Sequence, residues 1–125
     1  MKKKIYYHET DCGGVVYYAN YLKFLEEART EFFTEKGFSI KELADSGTMF
    51  VVARQEIDYK APSVYGDVLD INSKVVEMSA VKIVFENEIY NQNNLLISKA
   101  KTILVCVDKN LKPKAIPDSI RSSFS

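Results

Sequence analysis

The stretch YYHETDCGGVVYYANYLKFLEEARTEFF, residues 6–33, decides the fold, because a loop with two glycines separates a strand-like segment from a strong helical pattern. Seven apolar side chains belong to that pattern: Tyr21, Leu22, Phe24, Leu25, Ala28, Phe32 and Phe33. Their spacing of three and four residues predicts a helix over residues 20–36. Gly37 suits the left-handed backbone conformation in which many helices end. The width of the stripe indicates that other elements cover this helix on most sides.

The remaining chain predicts one short helix and four further strands. Ser39 and Glu42 have capping-box spacing, which indicates a short helix that ends at Gly47. Beyond Gly47 the apolar period changes from about 3.6 to 2. The predicted strands comprise residues 3–9, a segment from Met49 up to Ala61-Pro62, and residues 68–77, 80–90 and 95–107. We expect the tail from Asp108 onward to be irregular.

This order of elements predicts the fold class. Four consecutive strands joined by hairpins form an antiparallel sheet, and such a sheet must bury one face. The long helix is the only predicted element large enough to cover that face. We therefore expect an α+β fold in which a curved antiparallel sheet wraps around one long central helix. The length of 125 residues predicts a single domain over residues 1–125.

Charge and hydropathy exclude several functional classes. Lys and Arg together number 17, as do Asp and Glu, and this zero formal charge argues against a nucleic-acid-binding protein. No apolar run approaches the roughly 18 residues that a membrane span requires. The lysines at positions 2–4 are not followed by an apolar segment, so we interpret them as a solvated end rather than a signal peptide. The sequence thus predicts a cytoplasmic protein without a membrane span.

Neither a metal site nor a cofactor site is predicted. Cys12 and Cys106 lack metal-ligand spacing, and the single histidine, His8, does not complete a site with them. Cys12 lies beside an acid and could be considered a nucleophile. A reactive cysteine needs an activating partner, however, and none is evident in the sequence.

Asp11 is the candidate catalytic residue, since it precedes Gly13-Gly14 in the loop that leads to the long helix. A helix N-terminus presents unpaired N–H groups and a partial positive charge, which can stabilise a developing oxyanion. A carboxylate across the loop could act as general base or as nucleophile. An aspartate in such a turn also commonly binds its own backbone, and the local pattern leaves both interpretations open. Tyr7 could donate a hydrogen bond into the same site.

The loop and helix carry a specific resemblance to a known family. Its pattern is matched by Tyr6, Tyr7, Thr10, Asp11, Gly13, Gly14, Val15, Val16, Tyr17, Ala19, Asn20, Tyr21, Glu26, Ala28, Arg29, Thr30 and Glu31, and the likeness continues through YKAPSVYGDVLDI, VCVD and KPKAIP. On these residues the chain resembles the hotdog-fold 4-hydroxybenzoyl-CoA thioesterases. Within that family it is most similar to the Tol–Pal-associated acyl-CoA thioester hydrolases of Gram-negative bacteria.

The resemblance implies a five-stranded antiparallel sheet around one helix, a homo-oligomer (dimer or tetramer) with active sites near subunit interfaces, and no cofactor. It implies hydrolysis of acyl-CoA or acyl carrier protein thioesters. The catalytic carboxylate falls on Asp11 and the oxyanion donor on the backbone N–H of Tyr18. The Tol–Pal branch usually has His at that position, whereas the 4-hydroxybenzoyl branch has Tyr.

Two other functions fit the same fold: a non-catalytic acyl-CoA-binding protein, and a scaffold partner of an envelope complex. Turnover, as opposed to tight stoichiometric binding, distinguishes an enzyme from the first, and a pull-down that is insensitive to mutation of Asp11 would favour the second. Hotdog dehydratases typically combine a histidine with the acid, and the absence of a histidine at the helix start ranks that activity low.

Overall fold

The computed structural model describes residues 1–125 and confirms the predicted α+β hotdog architecture. The strands are β1 (Lys2–Lys4), β2 (Met49–Tyr59), β3 (Val68–Met78), β4 (Lys82–Tyr90) and β5 (Leu96–Val107), and the helices are α1 (Asn20–Glu35), α2 (Ile40–Asp45) and α3 (Asp118–Phe124). All paired strands are antiparallel and form one sheet with the order β1-β3-β4-β5-β2. The sheet packs its inner face against α1, so the predicted sheet-on-helix arrangement is correct.

The predicted pairing of each strand with the next one is wrong for β2. This strand crosses the sheet and pairs with β5, from Met49 opposite Val107 to Tyr59 opposite Ser98. The burial patterns explain the choice. Most residues of β5 are buried, which suits a strand with neighbours on both sides, whereas most residues of β2 are exposed, which suits an edge. One long edge of the sheet, formed by β2, is therefore unpaired in the single chain.

The first strand is shorter than predicted. Pairing with β3 ends at Lys4, and the chain then forms a 3-10 turn over Tyr7–Glu9 instead of continuing as a strand to residue 9. The side chain of Glu9 stabilises this turn, because its Oε1 accepts the Tyr6 N–H at 2.9 Å. The lysines at positions 2–4 are thus an edge strand rather than a solvated end. Charged side chains on an edge strand discourage unwanted pairing with other chains.

Helix α1 matches its predicted start and ends one residue early. Gly37 has φ 91°, the left-handed conformation expected after the last turn. Five of the seven predicted apolar residues are buried, but Leu22 is 44% exposed and lies outside the core. Arg29, which the apolar pattern did not include, is buried against the sheet and donates to Thr102 Oγ1 at 3.4 Å. Buried polar groups of this kind contribute to the core between sheet and helix.

Two apolar clusters form that core. The cluster nearer the N-terminus of α1 contains Ile5, Val16, Tyr21, Phe24, Leu25, Ala28, Leu69, Ile71, Ile89, Ile97 and Ala100. The second contains Phe33, Ile83, Phe85, Leu104, Cys106, Ile116, Ile120 and Phe124. The first cluster holds the start of α1 rigidly against the sheet, and that start is where the sequence places the active site.

The two remaining helices cap the structure. In α2 the Ser39 hydroxyl accepts the Glu42 N–H at 3.2 Å, as the capping pattern predicted. The expectation of an irregular tail is wrong, because residues 118–124 form α3. Ile120 and Phe124 lie one helical turn apart, and the Phe124 ring packs 4.9 Å from that of Phe33. None of the helices has both the length and the apolar character needed to cross a membrane.

Candidate active site

The loop that carries Asp11 is a tight reversal held by backbone hydrogen bonds. The Asp11 N–H donates to Val15 O, and the Gly14 N–H donates to Asp11 O, both at 3.0 Å. Thr10 and Val16 form an isolated bridge at the base of the loop. Gly14 has φ 79°, a conformation that favours glycine. Asp11 therefore lies at the exposed tip of a loop whose two arms are close together.

The carboxylate of Asp11 is oriented but not fully engaged. Its Oδ1 accepts the Gly13 N–H at 2.9 Å. Asp11 thus binds its own backbone, which is one of the two roles that the sequence analysis considered for it. Its Oδ2 makes no hydrogen bond within the chain. A Cβ atom at Gly13 would lie 3.2 Å from Asp11 Oδ1, so the glycine gives the carboxylate the room it occupies. The same side chain can therefore stabilise the turn and still present a free basic oxygen.

The backbone N–H of Tyr18 has no acceptor within the chain. Tyr18 lies in the turn that precedes α1, where the Asn20 N–H donates to Tyr17 O at 2.9 Å and the Tyr21 N–H to Tyr18 O at 3.4 Å. The N–H groups before the first turn of a helix have no intrahelical partner, and the helix dipole adds partial positive charge there. This geometry can supply an oxyanion donor at Tyr18, where the resemblance places one.

Several aromatic rings pack against one another near the start of α1. The ring of Tyr18 lies 5.0 Å from Tyr17 and 6.0 Å from Tyr59, and Tyr59 lies 5.7 Å from Tyr21. The Tyr59 hydroxyl donates to Tyr18 O at 3.2 Å. Burial, reinforced by the neighbouring Tyr18, raises the pKa of Tyr59. An ordinary tyrosine is already protonated at neutral pH, so this hydroxyl is a donor there. Tyr59 thus connects the end of β2 to the helix start.

A buried hydroxyl pair supports the same region from below. The Tyr21 hydroxyl donates to Ser63 Oγ at 3.0 Å, and Ser63 O accepts the Val16 N–H at 2.8 Å. Burial raises the pKa of Tyr21, although the bond to Ser63 acts in the opposite direction. Neither Tyr59 nor Ser63 was among the predicted site residues. The only signal for them was their position in the YKAPSVYGD stretch that carries part of the resemblance.

Tyr7 lies in the 3-10 turn that precedes the loop of Asp11. It is 73% exposed, and its ring packs 5.8 Å from that of Tyr65. Its hydroxyl makes no hydrogen bond within the chain, to Asp11 or to any other residue. The expected alternation with Asp11 depended on a strand through residue 9, which the 3-10 turn replaces.

The other reactive side chains near Asp11 are not assembled into a site. Cys12 is an exposed free thiol without a hydrogen-bond partner, and the His8 ring stacks on Tyr6 at 6.2 Å. Cys106 is buried, and burial raises the pKa of its thiol. No group of three or more His, Cys, Asp or Glu residues is close enough together to hold a metal ion.

One cavity of the chain lies away from the candidate site. It has a volume of about 620 Å³ and lies on the outer face of the sheet, where side chains such as Lys74, Glu86, Lys101 and Glu56 alternate in sign across four strands. A solvated sheet face explains this feature. Asp11, Tyr18 and Tyr59 are instead exposed in the single chain, and the Tyr18 ring lies 6.0 Å from that of Tyr59 at the end of the unpaired strand β2.

Comparisons with known proteins show the family and the fold of the chain. The family described as the thioesterase-like superfamily matches residues 6–124. The acyl-CoA thioester hydrolase YbgC of Escherichia coli is 39% identical over 122 residues, which cover 97% of this chain and 91% of the relative. A hypothetical protein of Aquifex aeolicus superposes with a TM-score of 0.95 at 29% identity, covering 100% of this chain and 98% of that one. The structure of BH1999 gentisyl-coenzyme A thioesterase gives 0.91 at 28% identity, with coverage of 97% and 98%.

The likeness thus extends along nearly the whole chain in both sequence and structure. It includes the loop of Asp11, the start of α1 and the strands that hold them. On these grounds the chain belongs to the thioesterase-like superfamily and is a hotdog-fold thioesterase.

Proposed function

We propose that this thioesterase hydrolyses acyl-CoA thioesters, with Asp11 as the catalytic carboxylate and the Tyr18 N–H as the oxyanion donor. The observation that carries the proposal is that two groups on one short segment, Asp11 Oδ2 and the Tyr18 N–H, have no hydrogen-bond partner within the chain. The acyl-CoA substrate is supported by the E. coli relative, which is named an acyl-CoA thioester hydrolase. Such a substrate also suits the cytoplasmic location that the sequence predicts.

In the proposed reaction the thioester carbonyl oxygen accepts the Tyr18 N–H. Asp11 takes a proton from a water molecule whose oxygen adds to the carbonyl carbon, and the Tyr18 N–H stabilises the tetrahedral oxyanion. The C–S bond then breaks, and the proton passes from Asp11 to the departing thiolate. Thiols have a pKa of about 8.5, so the leaving group needs little further help. The products are a carboxylic acid and free CoA.

Direct attack by Asp11 on the carbonyl carbon is the alternative route to the same products. It would form a mixed anhydride that water then cleaves. A single turnover in water enriched in oxygen-18 separates the two routes. Attack of water on the anhydride at the Asp11 carbonyl would incorporate the label into the Asp11 side chain, which mass spectrometry of the peptide that contains Asp11 detects. The general-base route leaves the protein unlabelled, as does attack of water at the acyl carbonyl of the anhydride. Trapping of the anhydride on Asp11 with hydroxylamine separates these last two cases.

Two further parts of the proposed site are Tyr7, at its edge, and a second copy of the chain, which would pack next to it. The free hydroxyl of Tyr7 is available to donate a hydrogen bond to bound substrate. The unpaired edge of β2 exposes Val51 and Val52, and an unpaired edge of this length favours pairing with another strand. Since Tyr59 belongs to the same strand, pairing of two β2 strands would place the site near a subunit interface. We therefore propose a homo-oligomer, either a dimer or a tetramer.

The test is a panel of acyl-CoA and acyl carrier protein thioesters of increasing chain length, with release of free thiol as the readout. Asp11→Asn preserves the turn oxygen and removes the charge, so we expect kcat to fall by roughly 10² or more. Asp45→Asn is the matched control, because Asp45 is an exposed aspartate on α2 whose side chain pairs only with Lys41. Near-normal turnover by Asp11→Asn would refute the mechanism. Stoichiometric binding without turnover by the unmodified protein would refute the substrate assignment.

A further inference from the structure

The backbone carbonyl of Glu9 joins the two halves of the proposed site. It accepts the Tyr17 N–H at 3.0 Å and the side-chain amide of Asn20 at 2.9 Å. Glu9 precedes Asp11 by two residues, Tyr17 directly precedes Tyr18, and Asn20 is the first residue of α1. Together with the Asp11 N–H to Val15 O bond and the Thr10–Val16 bridge, this oxygen atom holds the arm that carries the carboxylate to the arm that leads to Tyr18.

The side chain of Glu9 is engaged through both of its carboxylate oxygens. The side chains of Glu9 and Lys3 are 9% and 18% exposed, and they form an ion pair at 2.9 Å between Glu9 Oε2 and Lys3 Nζ. The other carboxylate oxygen accepts the Tyr6 N–H. Lys3 Nζ also lies 5.2 Å from the ring centroid of Phe24 on α1. The ion pair therefore links the edge strand, the 3-10 turn and the long helix.

A second ion pair on the same strand shows the contrast. Lys2 pairs with Asp70 at 3.4 Å, but the two side chains are 73% and 40% exposed. Exposed pairs contribute little, whereas a buried pair must offset the desolvation of both charges and is weak evidence of added stability. The contacts of Lys3 and Glu9 hold a particular backbone geometry, and that geometry adjoins the catalytic loop.

We propose that Lys3, Glu9 and Asn20 form a positioning unit that sets the placement of the Asp11 carboxylate relative to the Tyr18 N–H. None of the three touches the reacting atoms. The inference rests on the proposed function only for the roles of Asp11 and Tyr18. Because a displacement of about 1 Å at a reacting group can reduce a rate by about 10², a loosened unit lowers kcat more than it weakens substrate binding.

Asn20→Leu and Lys3→Met test the unit from its two ends. Leucine matches asparagine in size but cannot donate to Glu9 O, and methionine keeps most of the lysine stem without its charge. For both variants we expect kcat to fall about 10-fold or more while KM changes less than about threefold. Lys3→Arg keeps the charge and should restore most of the activity. Lys2→Met removes the exposed pair on the same strand and should leave both kinetic constants unchanged.

A double-mutant cycle separates positioning from general structural damage. Residues that act through one another are non-additive, so Lys3→Met or Asn20→Leu should reduce the residual rate of Asp11→Asn by less than about twofold. If either substitution reduced the rate of Asp11→Asn by the same factor as it reduces the rate of the unmodified protein, its role would be purely structural and the inference would be overturned. Full activity of Asn20→Leu, with Asp11→Asn inactive, would also overturn it while leaving the proposed function intact. Full activity of Asp11→Asn would instead refute the proposed function. If Lys3→Met does not fold, Asn20→Leu alone decides the question.

Discussion

Replacement of Tyr18 by proline removes the proposed oxyanion donor and leaves the surrounding backbone compatible with the fold. The Asn20 N–H donates to Tyr17 O at 2.9 Å, which places Tyr18 at the second position of a turn, where proline is favoured. The Tyr18 N–H has no acceptor within the chain, so proline breaks no internal hydrogen bond there. The Tyr18 side chain is 61% exposed, and its loss removes ring contacts with Tyr17 and Tyr59 but no buried core residue.

The expected loss follows from the size of one oxyanion interaction. Removal of a single donor typically reduces kcat by about 10²–10³, or about 2.7–4 kcal/mol of transition-state stabilisation. Tyr18→Phe keeps both the N–H and the ring, and Tyr18→His supplies the residue usual in the Tol–Pal branch that the chain resembles. We expect both variants to stay within a few-fold of the unmodified protein.

The assay combines thiol release with a thermal melt of each variant. A folded Tyr18→Pro protein with normal kcat would show that the N–H at this position is not the donor. If Tyr18→Phe lost as much activity as Tyr18→Pro while still folded, the tyrosine hydroxyl would be the working group and the backbone assignment would be wrong.

Three further predictions concern cysteine, pH and assembly. Native protein should react with one equivalent of thiol reagent per chain, at the exposed Cys12 rather than at the buried Cys106. Cys12→Ala should keep activity within a few-fold of the unmodified protein, and strong inactivation by this substitution would contradict the prediction. Burial acts to raise the pKa of Glu9, but the Tyr6 N–H and Lys3 outweigh it, so the net pKa lies below the ordinary value of 4.5. The free energy of unfolding should therefore decrease as the pH drops below 4.5, and it should decrease less in Glu9→Gln. Urea titrations at several pH values measure this difference. Val52→Lys, on the exposed edge of β2, should reduce the dimer or tetramer mass in light scattering at micromolar concentration; an unchanged mass would exclude this edge as the interface.

Local patterns were sufficient to predict the elements that surround the site. The apolar spacing located α1 to within one residue, Gly37 marked the end of that helix, and the Ser39 cap marked the start of α2. These predictions succeeded because helix periodicity and capping depend on residues close in the chain. The family resemblance, carried by Asp11 and the residues after it, led to the fold class and the thioesterase activity. These features need no knowledge of distant contacts.

Other features were missed because they depend on residues far apart in the chain. The pairing of β2 with β5 joins segments about 50 residues apart, and α3 is stabilised by packing against the aromatic residues of the second core cluster. The 3-10 turn at Tyr7–Glu9 replaces a predicted strand in part because Glu9 binds Lys3 and Tyr6. Alternation alone cannot indicate such a turn.

The sequence by itself determined the central helix, the loop with its carboxylate and the family to which the chain belongs. Only the tertiary structure decided that Oδ2 of Asp11 and the N–H of Tyr18 are both left without partners, and that Glu9 O spans the two arms between them. The physical reason is that hydrogen-bond satisfaction is a property of the whole fold. A donor or acceptor is available for chemistry only when no other part of the chain reaches it, and no local pattern of residues records that.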